Sequence, residues 1–178
     1  NLRAADPAKL FDNASVTYNK GGVVLHMLRE QVGTEVFWKA VNNYLNRHKF
    51  GSVISTDLKA AMEQASGQDL TWFFDQWVYS SGAPSLSVRP VYSTKAKTLA
   101  LTVTQTQKPD AIVPAVFRLP LDVSVKMTAG YEKKSIDIHQ RIEKFSVKMR
   151  AKPQSIEFDP DGKVLAMNVK ILPILIVR

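Results

Sequence analysis

Few residues in this chain have the type and spacing to do chemistry. The three histidines, His26, His48 and His139, stand 22 and 91 residues apart. No two of them share the four-residue spacing that sets paired imidazoles on one helix face for a metal. There is no cysteine, which excludes disulfides and thiolate ligands. A serine hydrolase would want a Gly-x-Ser-x-Gly elbow, and none is present. Glu30, Glu35 and Glu63 fall on helical stretches without a metal-ligand pattern. Tyr18-Asn19-Lys20-Gly21-Gly22 is different, because it sets a phenol at the mouth of an amphipathic stretch. A phenol with a pKa of about 10 stays protonated at pH 7 and donates a hydrogen bond without adding charge. Gly21-Gly22 lacks the glycine spacing of a phosphate-cradling loop.

Those residues need elements to hold them. Residues 1–17 read as irregular, with turn signals at Asp6-Pro7 and Asp12-Asn13. A first helix is expected from about Lys20 to Val32, with Val23, Val24, Met27, Leu28 and Val32 on one face. Gly33 suits a left-handed C-terminal cap, and Thr34 suits the N-cap of the next helix. There Val36, Phe37, Ala40, Val41, Tyr44 and Leu45 give the cleanest helical periodicity in the chain. A third helix starts at Ser55 or Thr56, turns Leu58, Ala61, Met62 and Ala65 inward, and ends at Gly67. Asp69 can cap a fourth, whose stripe is Leu70, Phe73, Phe74, Trp77 and Val78.

After Pro84 the period changes from 3.6 to 2. Leu86 and Val88, then Leu99, Leu101 and Val103, alternate with polar residues. So do Phe117 to Met127, Ile136 and Ile138, Phe145 to Met149, and Ile156 with Phe158. Ala129-Gly130 and Asp159-Pro160-Asp161-Gly162 are turns. About seven short, half-buried strands imply an antiparallel sandwich. The fold class read from the sequence is therefore α+β: a small layer of about four helices, then an antiparallel β-sandwich of about seven strands. The expected domains are 1–82, helical, and 83–170, the sandwich, with 171–178 an unassigned apolar tail.

Charge follows the same division. The net charge is +8. Residues 1–82 hold eight Lys/Arg against eight Asp/Glu, so the whole excess lies after Gly82-Ala83-Pro84. A basic half could favour an acidic partner, but the lysines alternate with core residues and read as the outer positions of strands. A nucleic-acid module would interleave aromatics with its cations. Here the aromatics concentrate in the neutral half, so no nucleic-acid partner is expected. No apolar run reaches the roughly 20 residues of a membrane-spanning helix. The chain opens on Asn1 without a signal-peptide pattern, and the expectation is a mature product or an excised piece.

Several motifs together resemble the zinc aminopeptidases of the aminopeptidase N type, peptidase family M1. Tyr18-x-Lys20-Gly21 followed by Val24-Leu25-x-Met27-Leu28 is one. Val32-Gly33, Phe37, Tyr44, Thr56-Asp57-Leu58, Gly67-Gln68-Asp69-Leu70, Phe73-Phe74-Asp75-Gln76-Trp77 and Gly82-x-Pro84 follow in order. Thr104-Gln105-x-Gln107, Phe117-x-Leu119-Pro120-Leu121, and Phe158-Asp159-Pro160 with Val164-Leu165 resemble that family's small β-sandwich domain. The resemblance runs over about residues 15–168. It implies a fragment: the rear of a thermolysin-like catalytic domain and the sandwich after it.

The family's HExxH zinc motif is absent. The resemblance therefore implies zinc in the intact enzyme, held by ligands upstream, with no metal or other cofactor bound by this chain. It implies peptide substrates, cleaved at their N-terminal residue, and the remainder of the same polypeptide as partner. It gives Tyr18 the catalytic role of hydrogen-bond donor to the oxyanion of the tetrahedral intermediate, with Lys20 and Gly21 shaping the loop. The isolated chain is expected to be inactive. The alternative is a non-catalytic scaffold of the same architecture.

Overall fold

A computed structural model describes residue 12, residues 15–165 and residues 168–178. The expectations for Asp6-Pro7 and Asn13 lie outside the described residues. Two compact units divide between Ser81 and Gly82.

Among the described residues of the helical unit, Ser15–Lys20 form a π-helical stretch where the sequence suggested irregular chain. It runs straight into α1 (Gly21–Val32), which buries Val24, Met27, Leu28 and Val32. Gly33 breaks the helix with a φ of 90°, a conformation that suits glycine, and its N–H closes on the Arg29 carbonyl at 2.8 Å. The second helix, α2 (Thr34–His48), begins at Thr34, but no side chain caps it, contrary to the role expected of that hydroxyl. Asp57 reaches back to the Ile54 N–H at 2.8 Å and starts α3 (Ser55–Ser66). Gly67, left-handed at φ 69°, ends it. Asp69 accepts from the Thr71 N–H at 2.8 Å just ahead of α4 (Thr71–Trp77). Leu28, Met62, Leu70, Phe73, Phe74 and Trp77, none more than 3% exposed, make the core of this unit. Truncating any one to alanine typically costs about 2–5 kcal/mol.

Among the described residues the second unit holds eight strands in two sheets. One is built on β1 (Ser85–Ser93), β2 (Thr98–Gln105) and β5 (Ile142–Lys148), paired antiparallel in the order β1-β2-β5. The other has the order β4-β3-β6, from β3 (Leu119–Met127), β4 (Gly130–Ile138) and β6 (Ser155–Phe158). Strict alternation buries Leu86, Val88 and Tyr92 of β1, Leu99, Leu101 and Val103 of β2, and Leu119 to Met127 of β3 on one face of each sheet. This is the alternation of sandwich strands, buried on one side and wet on the other.

Two further strands, β7 (Asn168–Ile171) and β8 (Leu175–Val177), were not legible as strands in the sequence. Both join β1 in parallel, so the larger sheet is mixed rather than wholly antiparallel. The break between them faces Pro90 of β1, which has no N–H to give a neighbour.

At the start of this unit Gly82 has a φ of 77°, and a Cβ there would sit 3.0 Å from the Val113 side chain. A side chain there would be strained by that φ and would press on Val113. Gln105 and Gln107 are buried amides that stitch the sandwich at one end. Gln105 is fully buried, accepts from the Phe117 N–H at 2.8 Å, and donates to the Phe117 carbonyl at 2.7 Å. Gln107 donates to the Gln105 side chain at 3.1 Å.

Candidate functional site

Tyr18 sits on the π-helical stretch two residues before Lys20, and its side chain is 62% exposed. Single π-helical turns recur at functional sites because the extra residue re-aims a side chain. The end of this stretch is tethered by the next cation along. Lys20 is half-buried, and its Nζ donates to the Ser80 carbonyl at 3.4 Å. Ser80 is itself anchored, its hydroxyl donating to the Asp75 carbonyl at 2.7 Å. Burial holds the Lys20 ammonium below its usual 10.5. The sequence named Lys20 only as a loop-shaping residue. Its partner lies 60 positions away, and no local pattern announces it.

The histidines do not meet. His26 Nδ1 lies 3.1 Å from an Arg29 nitrogen, one turn on along α1. His48 packs its ring on Tyr44, the centroids 5.3 Å apart. His139 Nε2 lies 3.1 Å from Asp137, which also holds Arg118 at 2.8 Å. Among the described residues no group of three His, Asp or Glu could hold a metal ion. The side chains described thus do not fit the zinc that the resemblance implies.

A second feature lies between α1, α2 and α3: an apolar groove of about 460 Å³, walled by Leu25, Trp38, Val41 and Leu45 with Leu58 at one side. Its polar groups include Arg29, His26 and Tyr44.

Residues 2–77 match the Peptidase family M1 domain. Aminopeptidase 2 of Candida albicans is 36% identical over 89 residues, half of this chain and 9% of that protein. Aminopeptidase N of Lactococcus lactis is 38% identical over 85 residues, 48% of this chain and 10% of that protein. Legionella pneumophila aminopeptidase A, solved in complex with aspartic acid, superposes with a TM-score of 0.73 at 19% identity. That superposition covers 88% of this chain and 18% of that one. The chain is thus similar to the family M1 aminopeptidases, chiefly over its helical unit. It spans about a tenth of the length of the curated relatives it matches.

Proposed function

We propose that this chain is part of a zinc metallo-aminopeptidase that removes N-terminal residues from peptides. Residues 1–82 are the rear of its catalytic domain and 83–170 its β-sandwich domain. The zinc and the residues that hold it belong to the remainder of the polypeptide. The 178-residue chain alone hydrolyses nothing.

The observation that carries this reading is Tyr18: 62% exposed, on a turn tied down through Lys20, within the stretch that matches the family M1 domain. Its part in the reaction is one hydrogen bond. When the scissile carbonyl becomes tetrahedral its oxygen gains negative charge, and a neutral donor held in place stabilises that charge more than it stabilises the carbonyl. The phenol serves because its O–H donates a hydrogen bond without adding a charge to the site. The Lys20 anchor contributes by holding the turn, so that little reorganisation accompanies the reaction.

The test is hydrolysis of an aminoacyl chromogenic amide, with metal analysis, by the longer polypeptide and its Tyr18→Phe variant. We expect zinc in both and a fall of about 10² to 10³ in turnover in Tyr18→Phe, the usual loss when one oxyanion donor is removed. Zinc with unchanged turnover would reduce Tyr18 to a structural residue. Neither zinc nor turnover in the wild type would favour a scaffold.

A further inference from the structure

We propose that the groove walled by α1, α2 and α3 seats an amphipathic, acidic helix from the same polypeptide outside these 178 residues. The inference rests on the reading above that the chain is part of a longer enzyme. The groove is an unfinished core. The helical periodicity of α2 runs through Phe37, Ala40, Val41, Tyr44 and Leu45, yet only Phe37 and Ala40 are buried. Leu45 is 60% exposed and its neighbour Trp38 57%, with Leu25 of α1 across from them at 45%. Trp38, Val41 and Leu45 recur at i, i+3 and i+7, and Leu25 and Arg29 at i and i+4. This is the spacing of a surface that receives a helix laid along it. A volume of about 460 Å³ admits several side chains of such a helix.

The polar wall says what else the occupant carries. Arg29 has one terminal nitrogen 3.1 Å from His26 Nδ1 and a loose 3.8 Å approach to Glu30. Its Nε is buried without an acceptor. A buried N–H is almost always satisfied in a finished structure, and a guanidinium beside apolar walls is best satisfied by a carboxylate. The occupant is therefore apolar on one stripe with an Asp or Glu beside it. The relatives are about five times the length of this chain, so there is ample polypeptide to supply it.

The probe is 1-anilinonaphthalene-8-sulfonate, itself an apolar anion. The 178-residue chain should bind one equivalent, and Leu45→Asp and Arg29→Met should each weaken binding at least tenfold. Leu45 is exposed, so its substitution spares the core. The longer polypeptide should not bind the dye at this groove, and the α2 amides from Val41 to Leu45 should exchange more slowly in it than in the 178-residue chain. Equal dye binding and equal exchange in both would overturn the proposal. So would sedimentation showing that the 178-residue chain dimerises and that Leu45→Asp dissolves the dimer, since a second copy would then be the occupant. Peptidase turnover separates the two readings. A closed groove without turnover defeats the enzyme assignment alone, and turnover with an open groove defeats this inference alone.

Discussion

Gly21 and Gly22 open α1 in ordinary helical geometry, and a Cβ at either would meet nothing within 4 Å. Within this chain neither glycine is needed, and each gives away helix stability relative to alanine. Glycine also serves where another group must approach the backbone closely, and both stand immediately after the Tyr18 turn. Gly21→Ala should therefore stabilise the helical unit of the 178-residue chain by about 0.5 kcal/mol, while lowering turnover of the longer polypeptide. Melting followed by tryptophan fluorescence reads the first effect, because Trp38, Trp72 and Trp77 all lie in that unit. A loss of stability, or unchanged turnover, would return Gly21 to a purely local role. Gln105 makes the opposite case. Gln105→Leu would remove the two hydrogen bonds that Gln105 makes to the N–H and carbonyl of Phe117, at about 0.5–1.5 kcal/mol for each bond lost. The loss should appear in far-UV circular dichroism of the strands. The sequence singled out Tyr18 by its phenol and by the resemblance, but offered Gln105 only as a member of a familiar string. What makes Gln105 matter is its burial, which does not follow from residue type.

At the scale of elements, the Asp159–Gly162 turn after β6 is tied back to the second sheet by charge. Asp122 on β3 accepts from the Ser135 hydroxyl of β4 at 2.6 Å and from Lys163 at 3.1 Å. Lys133 reaches Asp161 at 2.7 Å. The Ser135 hydroxyl, and after it Lys163, holds the Asp122 carboxyl below its ordinary 3.8. Lys133 does the same for Asp161. A carboxyl depressed in the folded state contributes stability that is present above the unfolded value and lost as pH falls through the folded one. The unit should thus lose thermal stability as pH drops below about 4. Asp122→Asn should flatten part of that fall, and an unchanged acid slope would show the network to be idle. The strands carrying these residues were legible, because alternation over seven to nine residues is a local signal. β7 and β8 were not. They are four and three residues long, too short for alternation to stand out as a signal. Their partner β1 lies about 80 positions earlier, so what makes them strands is a long-range pairing. The α2 stripe was legible as a helix face, but periodicity reports what a helix can cover and not whether the cover is present.

For the molecule as a whole, the excess charge sits where the strands put it. The register sets Lys144 opposite Thr102 and Thr102 opposite Arg89. Lys148 is placed opposite Thr98, and Lys170 opposite Ser87. The larger sheet thus turns four cations and a row of hydroxyls to one face. The carboxylate of its strands, Glu143, pairs with Val103 on the other face and accepts the N–H groups of His139 and Gln140. A depression of about 390 Å³ on the cationic face is lined by Ser87, Arg89, Thr102 and Lys144 among others. Cations alone attract any polyanion at low salt, but single-stranded nucleic acid is held at physiological salt by bases stacking on aromatic rings. The aromatic side chains of these strands are Tyr92, buried at 4%, and Phe145, which pairs with Leu101 on the inner face. A labelled oligodeoxythymidine should therefore bind the 178-residue chain at about 20 mM salt and be released by about 150 mM, where screening reaches within about 8 Å. Charge reversal at Lys144 and Lys148 together should abolish the low-salt signal. Binding that survives at about 150 mM salt would mean that this face reads nucleic acid through contacts other than charge.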